Sequence, residues 1–507
     1  MRRRTANTSN NRTTRYRHGL DVDFPTIRIL LYADDPDDVT ESTAKEESLS
    51  LGLMLEHLRA HAPVSARLDP RYVCRYRLGD RNFIDKLNDV LGRESFDEIW
   101  FFGINQINLQ DFSLGFFEGG PENELDAAER AELERVMGAP GVGVLITGDH
   151  SNERPTNAAV NPNPPCADSG ATATHLGLGR AIGRCVPRAG LLRKWDDQPT
   201  NLPGELINTV AQPGEEFDET AQALILRPVN ADGEPDPQGE PHPLFFYKPG
   251  QFITSFPDHT HEGSLDEPDT VDITVWPQAL QGSRPLPNVV AYGINHRTAE
   301  RTNLVAAYHG DRAGVGRIVA DSTWHHYFNF NLLGFPSPAP EGSAADQIGQ
   351  FYANLAVWLA PISKRREMAH AMFWQLAKYT MRLEHRSDDA ESELTCGRAA
   401  DAVFSRIASP CEVHELLQAV TPDRYGRLKF SEGSLVLSDI PPRQLLLGSI
   451  MCSYHDEMLR ANNQAEGYQP LGVDGVMASA FTRAFKKQVE LLNRKKEDAL
   501  RFLTNDL

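Results

Sequence analysis

The sequence predicts an α/β protein: a three-layer parallel sheet carrying a long insertion, followed by an all-α C-terminal domain. Three observations point there. Short apolar runs alternate with segments of helical spacing from residue 27 to 147, the pattern of a sheet covered on both faces. Residues 151–270 lose that periodicity and fill with Pro, Gly, Asn and Asp, after which strand-like runs return up to Asp321. From residue 364 onward the apolar spacing is helical only. The expected organisation is a disordered basic tail at 1–22, an α/β domain at 23–362 with an insertion over about 151–285, and a helical domain at 363–507.

The elements follow in order. Residues 27–32 read as a buried strand, stopped by the acidic loop that starts at Asp34 and Asp35. A helix is expected over 46–60, a strand over 66–76, a helix over 82–91 and a strand over 97–103. Residues 126–137 form a helix with acids at its start, where the helix dipole favours them. Pro140 breaks it, and 143–147 is the next strand, ending in Gly148-Asp149-His150. The insertion is too long for a structureless loop and carries a helix at 177–185 and a strand at 223–227. Strands return at 289–292, 303–309 and 317–321, and a helix at 345–359 packs Ile348, Tyr352, Leu355 and Trp358 onto the sheet. Five C-terminal helices are expected, at 367–384, 396–405, 412–420, 443–462 and 473–503. Ser409 before Pro410 is an N-cap with proline at N1. The acidic run 388–393 reads as a solvated linker.

Composition narrows the function classes. The formal net charge of −19 repels nucleic acid. Six arginines lie within residues 1–20, which read as a disordered tail or an arm for an anionic partner. No apolar run approaches a membrane span. The six cysteines are widely separated without a CxxC, which predicts a cytoplasmic protein without a disulfide framework. Helix 473–503 carries Val476, Phe481, Phe485, Val489, Leu492 and Leu500 along one side. That stripe suits a bundle, a homo-oligomer interface or a protein partner reached through 363–507.

Chemistry is expected where strands end. Four such segments hold acids and histidines: Asp34 with Asp35, Asp149 with His150, 258–262, and 321–326. In a doubly wound sheet the carboxyl ends of the parallel strands converge, and small-molecule ligands bind there. His150 or His325 is expected as general base, oriented by Asp321, with Asp149 alongside. His325 and His326 are adjacent and point differently, so at most one faces the partner of Asp321. The spacing of His259 and His261 puts both rings on one side of an extended chain. With Glu262 they form a candidate site for a divalent metal, although the cofactor remains unassigned. Each such residue also has a plain structural role open to it, as a strand stop, a cap or a hydrogen-bonded core group. Ser322 and Ser151 lie outside any Gly-x-Ser-x-Gly, and Gly314-Val315-Gly316 opens no helix, so neither a serine hydrolase nor a dinucleotide fold is indicated.

The run 305–325, VAAYHGDRAGVGRIVADSTWH, resembles the closing signature of ThuA-like (trehalose-utilisation-like) domains of the class I glutamine-amidotransferase-like superfamily. LAVWL at 355–359 is similar to the helix that follows it there, and GVGVLITGDHSN at 141–152 to the strand-to-elbow segment. HPLFFYKPGQFITSFPDHTHEG at 242–263 is similar to a His-Pro segment leading into an acidic loop. The resemblance covers about 25–362. It implies a flavodoxin-like, amidotransferase-like sheet with His325 in the place of the superfamily's histidine. It also implies a hydrolase or lyase acting on a small polar, carbohydrate-like substrate. The superfamily's cysteine nucleophile is missing, because the elbow reads Gly148-Asp149-His150, so glutaminase activity is not expected. The competing expectation is a catalytically inactive ligand-binding or assembly module.

Overall fold

A computed structural model describes residues 24–35, 50–77, 82–83, 85–102, 108–111, 116–118, 125–147, 221–230, 233–257, 265, 276–280, 282–294, 301–322, 325–332, 338–380, 390–421, 442–463 and 473–505. The helix expected at 177–185 lies outside them. The chain divides into two compact units. One comprises Thr26–Arg366 together with Phe404–Leu435, the other Glu367–Val403 with Val436–Leu507. The α/β unit therefore does not end at residue 362, and the chain returns to it at residue 404.

In the first unit the strands of the main sheet are β1 (Thr26–Asp35), β2 (Arg67–Arg77), β3 (Asn82–Phe83), β4 (Glu98–Phe102), β5 (Gly143–Thr147), β6 (Ile225–Leu226), β7 (Asn288–Ile294), β8 (Arg301–Tyr308) and β9 (Ile318–Asp321). They form one nine-stranded sheet in the order β3-β2-β1-β4-β5-β9-β8-β7-β6. Its centre, β2-β1-β4-β5-β9, is parallel throughout. On one side β8, β7 and β6 are added antiparallel, and β3 is antiparallel to β2 on the other. Residues 82 and 83 were expected to open a helix. Phe83 instead pairs with Tyr76, and α2 (Leu87–Arg93) begins four residues later.

Strands β4, β5 and β9 are buried along their whole length, because helices cover both faces. On one face Leu30, Tyr32, Ile99, Phe101, Val144 and Ile146 alternate inward against Leu87, Val90 and Leu91 of α2. Leu133, Val136 and Met137 of α3 (Ala127–Gly138) complete that layer. Each such side chain contributes about 1.5–3 kcal/mol by leaving water. Asp126 caps α3 in a capping box with Glu129, so the acids at this helix start are structural. The other face carries α1 (Gly52–Ala60) and α4 (Ala344–Leu359), with Ile348, Tyr352, Leu355 and Trp358 all buried as expected. A Cβ on Gly143 would lie 2.1 Å from the Leu359 carbonyl oxygen, so the end of α4 rests directly on the start of β5.

Helix α5 (Ile362–Thr380) follows, then α6 (Ala390–Ile407) and α7 (Pro410–Val420). Ser409 caps α7 through the Glu412 amide, with Pro410 at the first position, as the sequence indicates. The second unit is all helical, built from α5 and α6 with α8 (Pro442–Asn463) and α9 (Val473–Asn505). Glu393 does not belong to a solvated linker. It lies in the first turn of α6, 1% exposed, and accepts from Arg483 and from Ser449 at 2.7 Å. No helix among the described residues is long and apolar enough to cross a membrane.

Candidate functional site at the carboxyl edge of the sheet

The parallel strands run in register, so their carboxyl ends share one edge. Ala33 pairs with Phe102, Phe101 with Ile146, and Thr147 with Asp321. Asp34 and Asp35 close β1 at that edge, although their side chains lie outside the described residues.

Asp321 is the last residue of β9 and 1% exposed. The chain turns there into a 3-10 turn, His325–Tyr327, which folds His326 and Tyr327 back over it. The Nδ1 of His326 lies 3.0 Å and 3.1 Å from the two Asp321 carboxylate oxygens. Tyr327 donates its hydroxyl to Oδ2 at 3.1 Å. A carboxylate only accepts, so Nδ1 is the nitrogen that donates to it. Among the described residues Nε2 has no hydrogen-bond partner. The Tyr352 hydroxyl donates to the His326 carbonyl and fixes the turn against α4. Burial, then Asp321 and Tyr352, hold the Tyr327 phenol well above its usual range, so it stays a donor.

An aromatic wall surrounds this pair. The ring of Phe256 meets that of His326 edge-on at 5.0 Å and Phe351 at 4.9 Å. Phe102 packs on Tyr327 at 5.3 Å. Such walls exclude water and strengthen the enclosed polar contacts. Ser322 is fully buried, and its hydroxyl has no partner among the described residues. With no exposed surface it is not presented as a nucleophile.

The expected Asp321–histidine pairing thus forms through His326, whereas the sequence reading favoured His325. Backbone geometry places His325 in the turn, but its side chain lies outside the described residues, as do Asp149, His150, His259, His261 and Glu262. Two segments leave the described structure beside the pair. Asp149 follows two residues after Thr147, the register partner of Asp321. Asp258 follows two residues after Phe256, which packs on His326. The signal that singles out His326 is the i, i+5 step from a strand-ending Asp across a tight turn, a step that adjacent histidines make ambiguous.

Two other histidine clusters lie in this unit. His61 spans Asp346 and a backbone carbonyl, so neither ring nitrogen is available as a base. His242 and His309 face one another, Nε2 to Nε2 at 3.3 Å, and the His242 Nδ1 accepts from the Leu244 amide. Burial pushes His242 down to about 3, so it is neutral. At the amino edge of the sheet a cleft of about 120 Å³ is lined by Gly141, Asp311, Gly314, Arg317, Pro361 and Arg365. Its two arginines are matched by Asp311 and Glu415, so no net charge faces a ligand. Among the described residues no group of three or more His, Cys, Asp or Glu is arranged to hold a metal ion. Compared with family models, with curated proteins and with solved structures, the chain matches none.

Proposed function

We propose that this chain is a ThuA-like, amidotransferase-like protein whose carboxyl-edge Asp–His pair performs acid–base chemistry. The reaction is hydrolysis or elimination on a small polar, carbohydrate-like substrate. The carrying observation is the Asp321–His326 pair, a base with its orienting carboxylate on Nδ1 and, among the described residues, no hydrogen-bond partner on Nε2. The strand order supports the fold part of the reading. Taken alone, the parallel strands run 2-1-3-4-5, the flavodoxin-like order.

In this reading His326 takes a proton from water or a substrate hydroxyl, and Asp321 stabilises the imidazolium that results. Asp149, His150 and His325 contribute to the same pocket. A divalent metal on His259, His261 and Glu262 would supply an activated water, a part of the proposal that elemental analysis of the purified protein checks. No thiol is involved, because none stands at the elbow.

The test is a screen of sugars, polyols and lactones by thermal shift, followed by turnover of any binder. Asp321→Asn and His326→Gln should each lower turnover by about 10²–10⁴-fold, and the double variant no further. Wild-type turnover in both single variants would overturn the reading. A His150–His325 separation above about 10 Å, beyond direct or one-water hydrogen bonding, would remove those two from a shared pocket.

One observation favours the assembly-module alternative. Asp321 and His326 are each only 1% exposed, and such a pair can be purely structural. In the helical unit Phe485 is 61% and Val489 42% exposed on successive turns of α9. Under that reading Phe485→Ser with Val489→Ser changes the mass seen by light scattering, while the active-site variants behave as wild type. Truncation at residue 365 is a poor test, because it also removes α7 from the α/β unit.

A further inference from the structure

We infer that Gln347 and Asn354 of α4 are positioning residues: they clip residues 243–257 onto the helix and thereby hold the Phe256 ring against His326. The inference rests on reading Asp321–His326 as the site.

Two arms of the chain lie on α4 here. The first is the 3-10 turn Pro243–Phe245, which leads into the strand Phe246–Lys248. The second is the strand Ser255–Pro257, with Thr254 just before it. The Ile253 amide ties the second to the first, donating to the Phe245 carbonyl at 2.8 Å. Asn354 donates from Nδ2 to the Leu244 carbonyl at 3.0 Å and to the Phe246 carbonyl at 2.7 Å, one on each side of Phe245. Gln347 works in the opposite sense. Its Oε1 accepts from the Thr254 amide at 2.7 Å and from the Ser255 amide at 3.2 Å, directly before Phe256. One arm is thus held through its carbonyls and the other through its amides.

Helical spacing brings these groups together. Gln347, Phe351 and Asn354 follow one another by four and three residues, so they share one face of α4. Phe351 stands between the two amide side chains. Phe245 stacks on it at 5.5 Å and Phe256 packs on it at 4.9 Å. Phe245 and Phe256 meet each other at 6.3 Å, and Phe256 meets the His326 ring at 5.0 Å.

Filling space does not require amides at these positions. Asn354 is fully buried and Gln347 nearly so. Burying such a group is costly unless it is hydrogen-bonded, and here the remaining polar atoms are bonded too. Asn354 Oδ1 accepts from Gln350 Nε2 at 2.9 Å, and Gln347 Nε2 donates to the Gly342 carbonyl at 2.9 Å. A leucine at either position would pack on the same rings but leave the segment free to slide along the helix, because apolar burial has no direction. Four directional bonds to the backbone fix the register instead. The same helix holds the other half of the site, since the Tyr352 hydroxyl donates to the His326 carbonyl. Helix α4 therefore sets the His326 backbone directly and its ring through Phe256.

Histidine ring resonances of the full-length protein, carrying isotope-labelled histidine, test this. The His326 signal is the one missing from His326→Gln, and Phe256→Leu gives its position without the neighbouring ring. Gln347→Leu should carry the signal to the Phe256→Leu position. Gln347→Glu should leave it at the wild-type position, because a carboxylate still accepts from Thr254 and Ser255. For Asn354 the order reverses. Asn354→Asp cannot donate to both carbonyls, and it should move the signal as far as Asn354→Leu does. Packing alone would treat the two acid substitutions alike. In Gln347→Leu the Thr254 and Ser255 amides should also exchange on the order of tenfold faster, the size of one hydrogen bond. Where one of these variants fails to fold, alanine at that position takes its place with the same expectation as leucine. An unmoved signal in folded Gln347→Leu or Asn354→Asp overturns the role of that residue. A Gln347→Glu signal displaced as far as that of Gln347→Leu overturns the clip as a set of directional bonds. No substrate enters these measurements. A signal that follows the clip beside a fully active His326→Gln sinks the catalytic reading alone, and an unmoved signal beside an inactive His326→Gln sinks the clip alone.

Discussion

Arg317 donates from Nη1 to Glu415 Oε2 at 2.6 Å, although 98 residues separate them. The same oxygen accepts from Arg365 Nη1 at 2.6 Å, and Asp311 bridges the two guanidinium groups from the other side. Arg317 is the arginine of the Gly-Val-Gly-Arg turn before β9, and it lies over the Trp358 ring at 4.7 Å. Burial alone would raise Glu415, but Arg317 and Arg365 hold it below the usual carboxylate range. Removing one partner of a buried pair leaves an uncompensated charge. Glu415→Ala should therefore cost about 3–5 kcal/mol in denaturant unfolding of the α/β unit. Replacing all four groups with apolar residues of similar volume should cost far less.

The Asp321 carboxylate depends on its two donors unequally. Tyr327→Phe removes a neutral hydrogen bond from an enclosed acceptor and should cost about 1–3 kcal/mol in urea unfolding. His326→Leu should cost more, because it also takes the edge-on ring partner of Phe256. Equal stability of Tyr327→Phe and wild type would show that the hydroxyl contact is immaterial.

Acid should destabilise the α/β unit before most carboxylates titrate. His242 and His57 lie near 3 and 4 in the folded state, against 6.5 for an ordinary histidine. Between those values the unfolded chain binds more protons, so stability falls as pH drops below about 6.5 and levels off near the folded values. Asp346 works in the same direction at lower pH: its contribution is full above its ordinary 3.8 and is lost as pH falls toward 2. Denaturation midpoints measured over this range should show the slope, and His242→Gln should flatten it.

Helices α6 and α8 of the helical unit cross backbone to backbone. A Cβ on Gly397 would lie 1.6 Å from the Gln444 carbonyl oxygen, and one on Gly448 1.9 Å from that of Glu393. Alanine is the better helix former by about 1 kcal/mol. Gly397→Ala should nevertheless lower the thermal midpoint, since the helices must separate and strain the Glu393–Arg483–Asp456 network beside them. A raised midpoint would show that the crossing tolerates the shift.

Much of the fold is legible in the chain because its signals are local. The apolar runs at 27–32 and 143–147, the acidic helix start at Asp126 and Ser409-Pro410 each depend on residues a few positions apart. Their elements form where expected. The helix expected at 82–91 starts late, at Leu87, because Phe83, Leu87 and Leu91 satisfy a helical face equally well, and only pairing with Tyr76 pulls the first of them into the sheet. The site was half legible. Asp321 stands out as a polar residue ending an apolar run, whereas the choice between His325 and His326 depends on a turn whose geometry Tyr352 and Phe256 set from elsewhere.

By itself the sequence determined the α/β class, the central strands, the break into a helical C-terminal part and the strand-end placement of Asp321. Apolar periodicity and capping encode these within one element. Only the tertiary structure decided that β8 and β7 run antiparallel, that α7 returns to the α/β unit, and that His326 meets Asp321. Those outcomes rest on contacts between distant residues, such as Glu415 with Arg317 and Arg365. Burial makes such pairings strong, and no local pattern records them.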